Sequence, residues 1–176
     1  MDITLPRVFR PVAQSATGVG GRVSIRPIDR ADAPSLSELY HSLSPEARHA
    51  RFLGACGDVA LDGIVRQLAA APGFVAVLNT PGPSDGTVVG HVVVLPDGSK
   101  SAEVALVVGE GQRGRGIGTA LMRTAAGSAR QLGWERLTAT MYADNLPMRQ
   151  LLDGVGARKA RWTIDCGVAE GSALIA

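Results

Sequence analysis

The stretch AEVALVVGEGQRGRGIGTALM, at residues 102–122, constrains the fold of this chain more than any other segment. Its first seven residues are almost entirely apolar, which is typical of a strand, and from Ile117 onward apolar positions recur at helical spacing. A short loop rich in glycine and arginine joins the two. Together with the strand-like segment RLTATM at 136–141, the pattern predicts a strand–helix–strand unit with two parallel strands.

The rest of the chain predicts strands and helices in the order β α α α β β β α β α β β. Strand patterns occur at 22–28, 74–79, 87–95, 102–108 and 136–141 and twice in the tail at 158–176, and helix patterns at 29–43, 44–53, 58–71, 117–132 and 146–156. Tight turns join the three consecutive strands, so we expect them to pair antiparallel. The sequence therefore predicts an α/β (α+β) fold with one mixed, mostly antiparallel sheet and helices on both faces.

Length and composition predict the domain organisation. The chain has 176 residues, of which 45% are hydrophobic, and this fits one domain with a single sizeable core. Residues 1–21 mix proline, glycine and small polar residues without any period, so we expect a flexible N-terminal arm there. Residues 22–176 then form the folded domain.

Several classes of site and partner find no support in the sequence. The net charge is +2 and the basic residues are scattered, which argues against a nucleic-acid partner. Cys56 and Cys166 match no metal spacing, and His41, His49 and His91 form no ligand pattern, so we expect no metal. No leader pattern and no apolar run near 18 residues is present, and we expect a cytoplasmic protein without a membrane partner.

The glycine loop RGRGIG at 113–118 has two interpretations. Its glycines let the backbone approach a ligand closely, the following helix start presents unpaired N–H groups, and Arg113 and Arg115 add positive charge, so the loop suits a phosphate. Alternatively, it is a turn that only connects two elements. A nucleoside-triphosphate loop is excluded because Gly-Lys-Ser/Thr is missing, and a dinucleotide fingerprint from Gly114 ends on Thr119 instead of glycine.

With these motifs the chain resembles the GNAT superfamily of acetyl-CoA-dependent N-acetyltransferases over about residues 22–176. The resemblance is carried by Arg113, Gly116 and Gly118, which match the family's Arg/Gln-x-x-Gly-x-Gly/Ala loop, and by YADNLPMRQLLDGVGA, which places Asn145 before a short helix. The segments SLSPEARHARFL and AEVALVV are similar to the catalytic domain of bacterial protein-lysine acetyltransferases.

The resemblance implies how acetyl-CoA would bind as the acyl donor. Backbone groups of Leu106 and Val108 would hydrogen-bond the pantetheine arm, which adds to the sheet like an extra strand. Asn145 would contact the cofactor near the end of the next strand. The pyrophosphate would be held by the loop and helix start formed by Arg113, Gly114, Arg115, Gly116, Ile117, Gly118 and Thr119.

Acetyl transfer to an amine also needs a base. Freeing the lone pair of a lysine-like amine at neutral pH costs about 4–5 kcal/mol, and a nearby base whose pKa is raised by burial lowers that barrier. Glu103 is the acid within AEVALVV, and in the resembled subgroup a glutamate at this place acts as base. The alternative is an edge-facing or salt-bridged glutamate. We expect direct attack on the thioester, since neither cysteine lies in an activating motif.

The chain departs from the family pattern at one position. Many members carry a tyrosine in the helix after the asparagine as the acid for the leaving thiolate, and the equivalent residue here is Leu152. We interpret Tyr142, at the end of the preceding strand, as structural. His49 and His91 are either acceptor-side bases or structural residues.

Arg51 and Phe52 are further candidates on the acceptor side. They either border the acceptor pocket or are a solvated arginine and a core phenylalanine.

The favoured function is N-acetyl transfer from acetyl-CoA to a protein lysine, with a small amine as the next acceptor class. A non-catalytic acyl-CoA-binding or sensory module is the alternative, and a structural domain whose loop binds nothing is the third hypothesis. A homodimer is left open as the assembly.

Overall fold

The computed structural model describes residues 15–18, 21–79, 86–98 and 100–175. Over these residues eight strands form one sheet, in the spatial order β1-β2-β3-β4-β5-β6-β8-β7. The strands are β1 (Ser15–Gly18), β2 (Gly21–Pro27), β3 (Gly73–Asn79), β4 (Val88–Pro96), β5 (Ser101–Val108), β6 (Arg136–Tyr142), β7 (Arg161–Asp165) and β8 (Val168–Leu174). The helices are α1 (Ala33–His41), α2 (Pro45–Phe52), α3 (Asp58–Ala70), α4 (Ile117–Gln131) and α5 (Leu146–Asp153).

The predicted element order is confirmed from β2 to β8, and one strand differs from the prediction. β1 falls inside the predicted flexible arm, but it pairs antiparallel with β2, from Ser15 opposite Ser24 to Gly18 opposite Gly21. Backbone hydrogen bonds to a neighbouring strand need no apolar period, so β1 carries no residue pattern that predicts a strand. Residues 1–14 and 19–20 of the predicted arm lie outside the described residues.

Helices cover both faces of the sheet, as predicted. On one face, α4 and α5 pack on the sheet through buried residues such as Leu121, Ala125 and Leu152. On the other face, α1 and α3 bury a second cluster that includes Tyr40 and Leu61. Each strand supplies alternate side chains to the two faces, so a single sheet supports two cores.

β5 and β6 form the parallel pair that the strand–helix–strand pattern predicts. Every other strand pair in the described sheet is antiparallel. The parallel ladder is short, from Ser101 opposite Arg136 to Glu103 opposite Thr138. Beyond Glu103 the two strands separate, whereas β5 stays paired with β4 up to Val108. The sheet therefore contains a gap between β5 and β6 that opens towards the glycine loop.

The start of α2 is fixed by local chemistry that the sequence predicts. Ser44 caps the helix by accepting a hydrogen bond from the Ala47 amide at 3.2 Å, and Pro45 opens the first turn. The Ser44 hydroxyl also donates to Glu110 Oε1 at 2.7 Å, and Glu110 lies in the connection between β5 and α4. This contact ties α2 to the end of β5, beside the gap.

Candidate active site

The gap exposes the polar backbone of the second half of β5. The Gly109 N–H donates to the Val89 carbonyl on β4 at 3.0 Å, and since backbone groups alternate along a strand, those of Leu106 and Val108 point to the opposite side. The Ala102 carbonyl, in the same phase, lies 3.5 Å from the Thr138 hydroxyl on β6 and confirms this direction. Because the β5–β6 ladder ends at Glu103, no described strand occupies the side that Leu106 and Val108 face.

The glycine loop leads from the exposed backbone of Leu106 and Val108 to the start of α4. Gly114 and Gly116 adopt left-handed backbone conformations, with φ of 74° and 77°, which L side chains rarely tolerate. Gly116 is the N-cap of α4, and the first helical hydrogen bond runs from the Ala120 N–H to its carbonyl at 3.0 Å. The amides of Ile117, Gly118 and Thr119 therefore have no acceptor within the helix and carry the positive end of its dipole.

The two loop arginines remain exposed beside these amides. Arg113 Nε donates to the Val108 carbonyl at 3.4 Å, and Arg115 donates to Gln112 Oε1 at 2.9 Å. No acidic residue lies in the first turn of α4. This end of the gap can accept an anion because it combines open amides with two guanidinium groups.

Asn145 lies at the turn from β6 into α5, on the far side of the gap from β5. Its Oδ1 accepts from the Met148 N–H at 3.2 Å, so the side chain caps α5. The cap fixes the residue at the end of β6 with its amide nitrogen as the remaining donor. A Cβ built on Gly118 would lie 3.3 Å from Leu151 of α5, so the start of α4 and α5 are in close contact.

Glu103 stands where the gap begins. Its side chain is exposed and borders a cavity of about 380 Å³ that Asp97, Thr138 and Arg161 also line. The carboxylate is not buried, because strand alternation turns it away from α4 and towards this open part of the sheet. Within the described residues Glu103 forms no ion pair, so the salt-bridged alternative is not supported either.

A hydrogen-bonded pair that the sequence analysis missed lies at the other end of the gap. The Tyr142 hydroxyl and His49 Nε2 are 2.7 Å apart, and their rings stack with centroids 5.3 Å apart and planes 9° from parallel. Both residues line a cavity of about 780 Å³ together with Glu46 and Asp144. They are 93 residues apart in the chain, so no local pattern could have joined them.

His91 is buried, and the half-buried Arg51 lies beside it. His91 on β4 is fully buried, its Nδ1 lies 3.2 Å from the Tyr40 hydroxyl, and burial lowers its pKa to about 3, with the nearby Arg51 charge acting in the same direction. Arg51 is half-buried, and its guanidinium lies over the Phe52 ring at 5.3 Å. His91 therefore has a structural role.

The comparison with protein families decides which family this architecture belongs to. The model of the acetyltransferase (GNAT) family matches residues 36–156, which include the gap, the glycine loop and Asn145. The chain belongs to the GNAT acetyltransferase family. Membership of this family supports an acyltransferase. The predicted single α/β domain with a mostly antiparallel sheet is confirmed.

Similar proteins agree with the GNAT assignment. Acetyltransferase Pat of Mycolicibacterium smegmatis is 45% identical over 56 residues, which are 32% of this chain and 17% of that protein. The chain thus spans about a sixth of the length of this relative. The GNAT domain of S. lividans PAT superposes with a TM-score of 0.74 at 22% identity, covering 93% of this chain and 98% of that one. The structure of yncA from Salmonella typhimurium, solved with its cofactor acetyl-CoA, gives a TM-score of 0.62 at 21% identity, with coverage of 88% and 94%.

Three further features of this GNAT domain concern metals, cysteines and membranes. The part of the chain that the structure describes contains no group of three or more residues able to hold a metal ion. Cys56 and Cys166 are both free thiols. No helix in the described ranges is long and apolar enough to cross a membrane.

Proposed function

We propose that this GNAT domain is an N-acetyltransferase that moves the acetyl group of acetyl-CoA to an amine. The observation that carries the proposal is the stretch of β5 backbone beyond Glu103 that faces no neighbouring strand on the β6 side and leads into the glycine loop and the open start of α4. An extended arm with amides along its length can pair with this part of the β5 backbone as a strand would, and a pyrophosphate at the far end of the arm fits the start of α4. Acetyl-CoA has both parts in this order.

The proposed donor site uses the residues around the gap. The backbone groups of Leu106 and Val108 would pair with the pantetheine amides, and Asn145 would donate from its free amide nitrogen across the gap. The pyrophosphate would be bound by the segment Arg113, Gly114, Arg115, Gly116, Ile117, Gly118 and Thr119. The left-handed glycines support this assignment because they leave open space where a side chain would stand: a Cβ at Gly114 or Gly116 would meet no atom within 4 Å.

The proposed chemistry is direct attack of the amine on the thioester. Glu103 would take the proton of the incoming ammonium group, and its exposed position beside a cavity is compatible with transfer through a water molecule. No covalent acyl-enzyme is needed in this scheme, because the amine itself is the nucleophile once it is deprotonated.

A protein lysine is the favoured acceptor and a small amine is next. The support for lysine is the resemblance of SLSPEARHARFL and AEVALVV to protein-lysine acetyltransferase domains, together with a gap that opens to the surface through the cavity beside α2. A side chain on a protein surface can reach such an opening without being enclosed. A cytoplasmic location and a homodimer stay predictions from the sequence.

Two measurements test the proposed function. Isothermal titration calorimetry should give micromolar or tighter binding of acetyl-CoA, and the absence of heat would contradict the donor site. A thiol-release assay over lysine peptides and small amines then separates an enzyme from an acyl-CoA-binding module. Binding without CoA release on any acceptor would favour the module.

Glu103→Gln tests the base, and Glu170→Gln is its matched control. Glu170 lines the same cavity, so its substitution removes an equivalent charge without removing the proposed base. We expect Glu103→Gln to lower kcat by about 100-fold with little change in acetyl-CoA affinity, and Glu170→Gln to stay close to wild type. Equal effects of the two substitutions would remove Glu103 from the mechanism.

A further inference from the structure

β7 is one of the two outer strands of the described sheet. It pairs with β8 on one side, and within the described residues no strand lies on its other side. Most of β7 is exposed, and Ile164 keeps 54% of its surface in contact with solvent. An exposed outer strand offers its unpaired N–H and C=O groups to any chain that can pair with it.

The turn between β7 and β8 shows which backbone groups of β7 are unpaired. The turn has two residues, Cys166 and Gly167, with φ of 46° and 81°, and positive values at both positions are typical of a type I′ hairpin. The flanking residues Asp165 and Val168 are then joined by backbone hydrogen bonds. Since backbone groups alternate along a strand, those at positions 162 and 164 point away from β8.

The side chains of β7 make the strand complementary to a second copy of itself. β7 begins with Arg161 and ends with Asp165, and Thr163 stands midway between them. If two copies pair antiparallel about a two-fold axis at Thr163, each Arg161 lies opposite Asp165 of the other copy. The same alignment places Trp162 opposite Ile164 of the other copy, and these are the two residues whose backbone groups point outwards.

The backbone and the charges therefore require the same alignment. Trp162 and Ile164 form the hydrogen-bonded pairs of such a ladder, whereas Arg161 and Asp165 fall in the pairs whose side chains lie closest. Within the described residues neither of these two charged side chains forms an ion pair. We propose that this chain forms a homodimer in which the two β7 strands pair antiparallel and join the sheets of the two copies.

The proposed pairing also covers an exposed apolar side chain. Ile164 lies on the same face of β7 as Trp162, whose Nε1 donates to Asp153 Oδ1 at 3.3 Å. In the dimer Ile164 packs against Trp162 of the second copy, which removes apolar surface of both residues from water. A ladder of five residues is shorter than a standard protein interface, so we expect a reversible dimer with a micromolar dissociation constant.

Thr163→Cys tests the position of the axis. The two Cα atoms at this position lie about 4.5 Å apart in the proposed dimer, within the span of a disulfide. In a chain that carries Cys56→Ser and Cys166→Ser, Thr163→Cys should give a covalent dimer on mild oxidation. Glu170→Cys is the matched control, because Glu170 is the β8 neighbour of Thr163 and its two copies would be about 14 Å apart, or three strand spacings. Covalent dimers from both variants, or from neither, would overturn the alignment.

A charge exchange tests the ion pairs. Sedimentation velocity over about 1–100 µM protein should show wild type passing from monomer to dimer. Asp165→Arg places like charges opposite each other, so this variant should stay monomeric, and the double variant with Arg161→Asp should recover the dimer. Both side chains are exposed, and equal melting temperatures would show that the fold is kept.

Three results of the sedimentation experiment would overturn the proposal. They are a wild-type chain that stays monomeric, a dimer that survives Asp165→Arg, and a double variant that does not dimerise. Assemblies larger than a dimer would also contradict it, because they would indicate head-to-tail pairing of β7 with another edge instead of closed two-fold pairing.

Discussion

The buried His91 predicts a loss of stability between pH 7 and pH 5. An ordinary histidine titrates near pH 6.5, whereas burial lowers the pKa of His91 in the folded chain to about 3. At pH 5 the unfolded chain therefore binds a proton on this histidine that the folded chain does not bind. The stability that His91 contributes is complete above pH 6.5 and is lost progressively as the pH falls from there to about 3.

The size of the effect follows from the two pKa values. A pH of 5 lies about 1.5 units below the pKa of the unfolded histidine and above that of the folded one. Each unit corresponds to about 1.4 kcal/mol, so the free energy of unfolding should be about 2 kcal/mol lower at pH 5 than at pH 7. The lowered carboxyl pKa values of Asp32, Asp62 and Glu110 act in the same direction, but mainly below their ordinary values of 3.8 for aspartate and 4.5 for glutamate, which lie under this window. The nearby Arg51 charge opposes protonation of His91 and Asp32 favours it.

Urea unfolding at pH 7 and pH 5 measures this difference. His91→Gln keeps a partner for the Tyr40 hydroxyl but cannot titrate, so its stability should change little between the two pH values, whatever its stability at pH 7. His41→Gln is the control, since His41 is a surface histidine paired with Asp62 at 2.9 Å, and this variant should keep the loss. If His91→Gln loses as much stability as wild type, the explanation from burial is wrong.

Two further predictions concern glycines. Gly116→Ala should cost about 1–2 kcal/mol of stability because of its φ of 77°, and it should weaken acetyl-CoA binding about tenfold in calorimetry by moving the amides at the start of α4; Gly111→Ala, in open space, should do neither. Gly171→Ala should lower the free energy of unfolding by more than about 2 kcal/mol because the new Cβ would overlap the Trp162 ring. The control is Gly127→Ala, whose Cβ would meet no atom within 4 Å, and it should be neutral or stabilising by up to about 1 kcal/mol. A Gly171→Ala variant that melts at the wild-type temperature, or a Gly116→Ala variant that binds acetyl-CoA with wild-type affinity, would contradict these two predictions.

Most of the architecture could be predicted because it depends on local signals. The Ser44–Pro45 pair, the apolar spacing of α4 and the alternation of β5 each act within a few residues. β1 could not be predicted in this way, since its pairing with β2 uses backbone groups that every residue carries.

In the candidate site, too, local residue patterns predicted some features and tertiary packing decided the others. The glycine loop and Glu103 were found because their residue types are unusual where they stand, but the exposure of Glu103 depends on the open side of the sheet. The pairing of Tyr142 with His49 needs α2 to lie beside the end of β6, and the buried pairing of Tyr40 with His91 needs α1 to pack on β4.

The sequence by itself determined the strand, the loop and the helix at 102–122, because alternation, left-handed glycines and helical spacing are properties of short segments. Only the tertiary structure decided that β5 and β6 separate after Glu103 and that Tyr142 meets His49 beside the gap. The physical reason is that a gap in a sheet and a contact between distant side chains are set by how strands and helices pack together. No local pattern of residues specifies that packing.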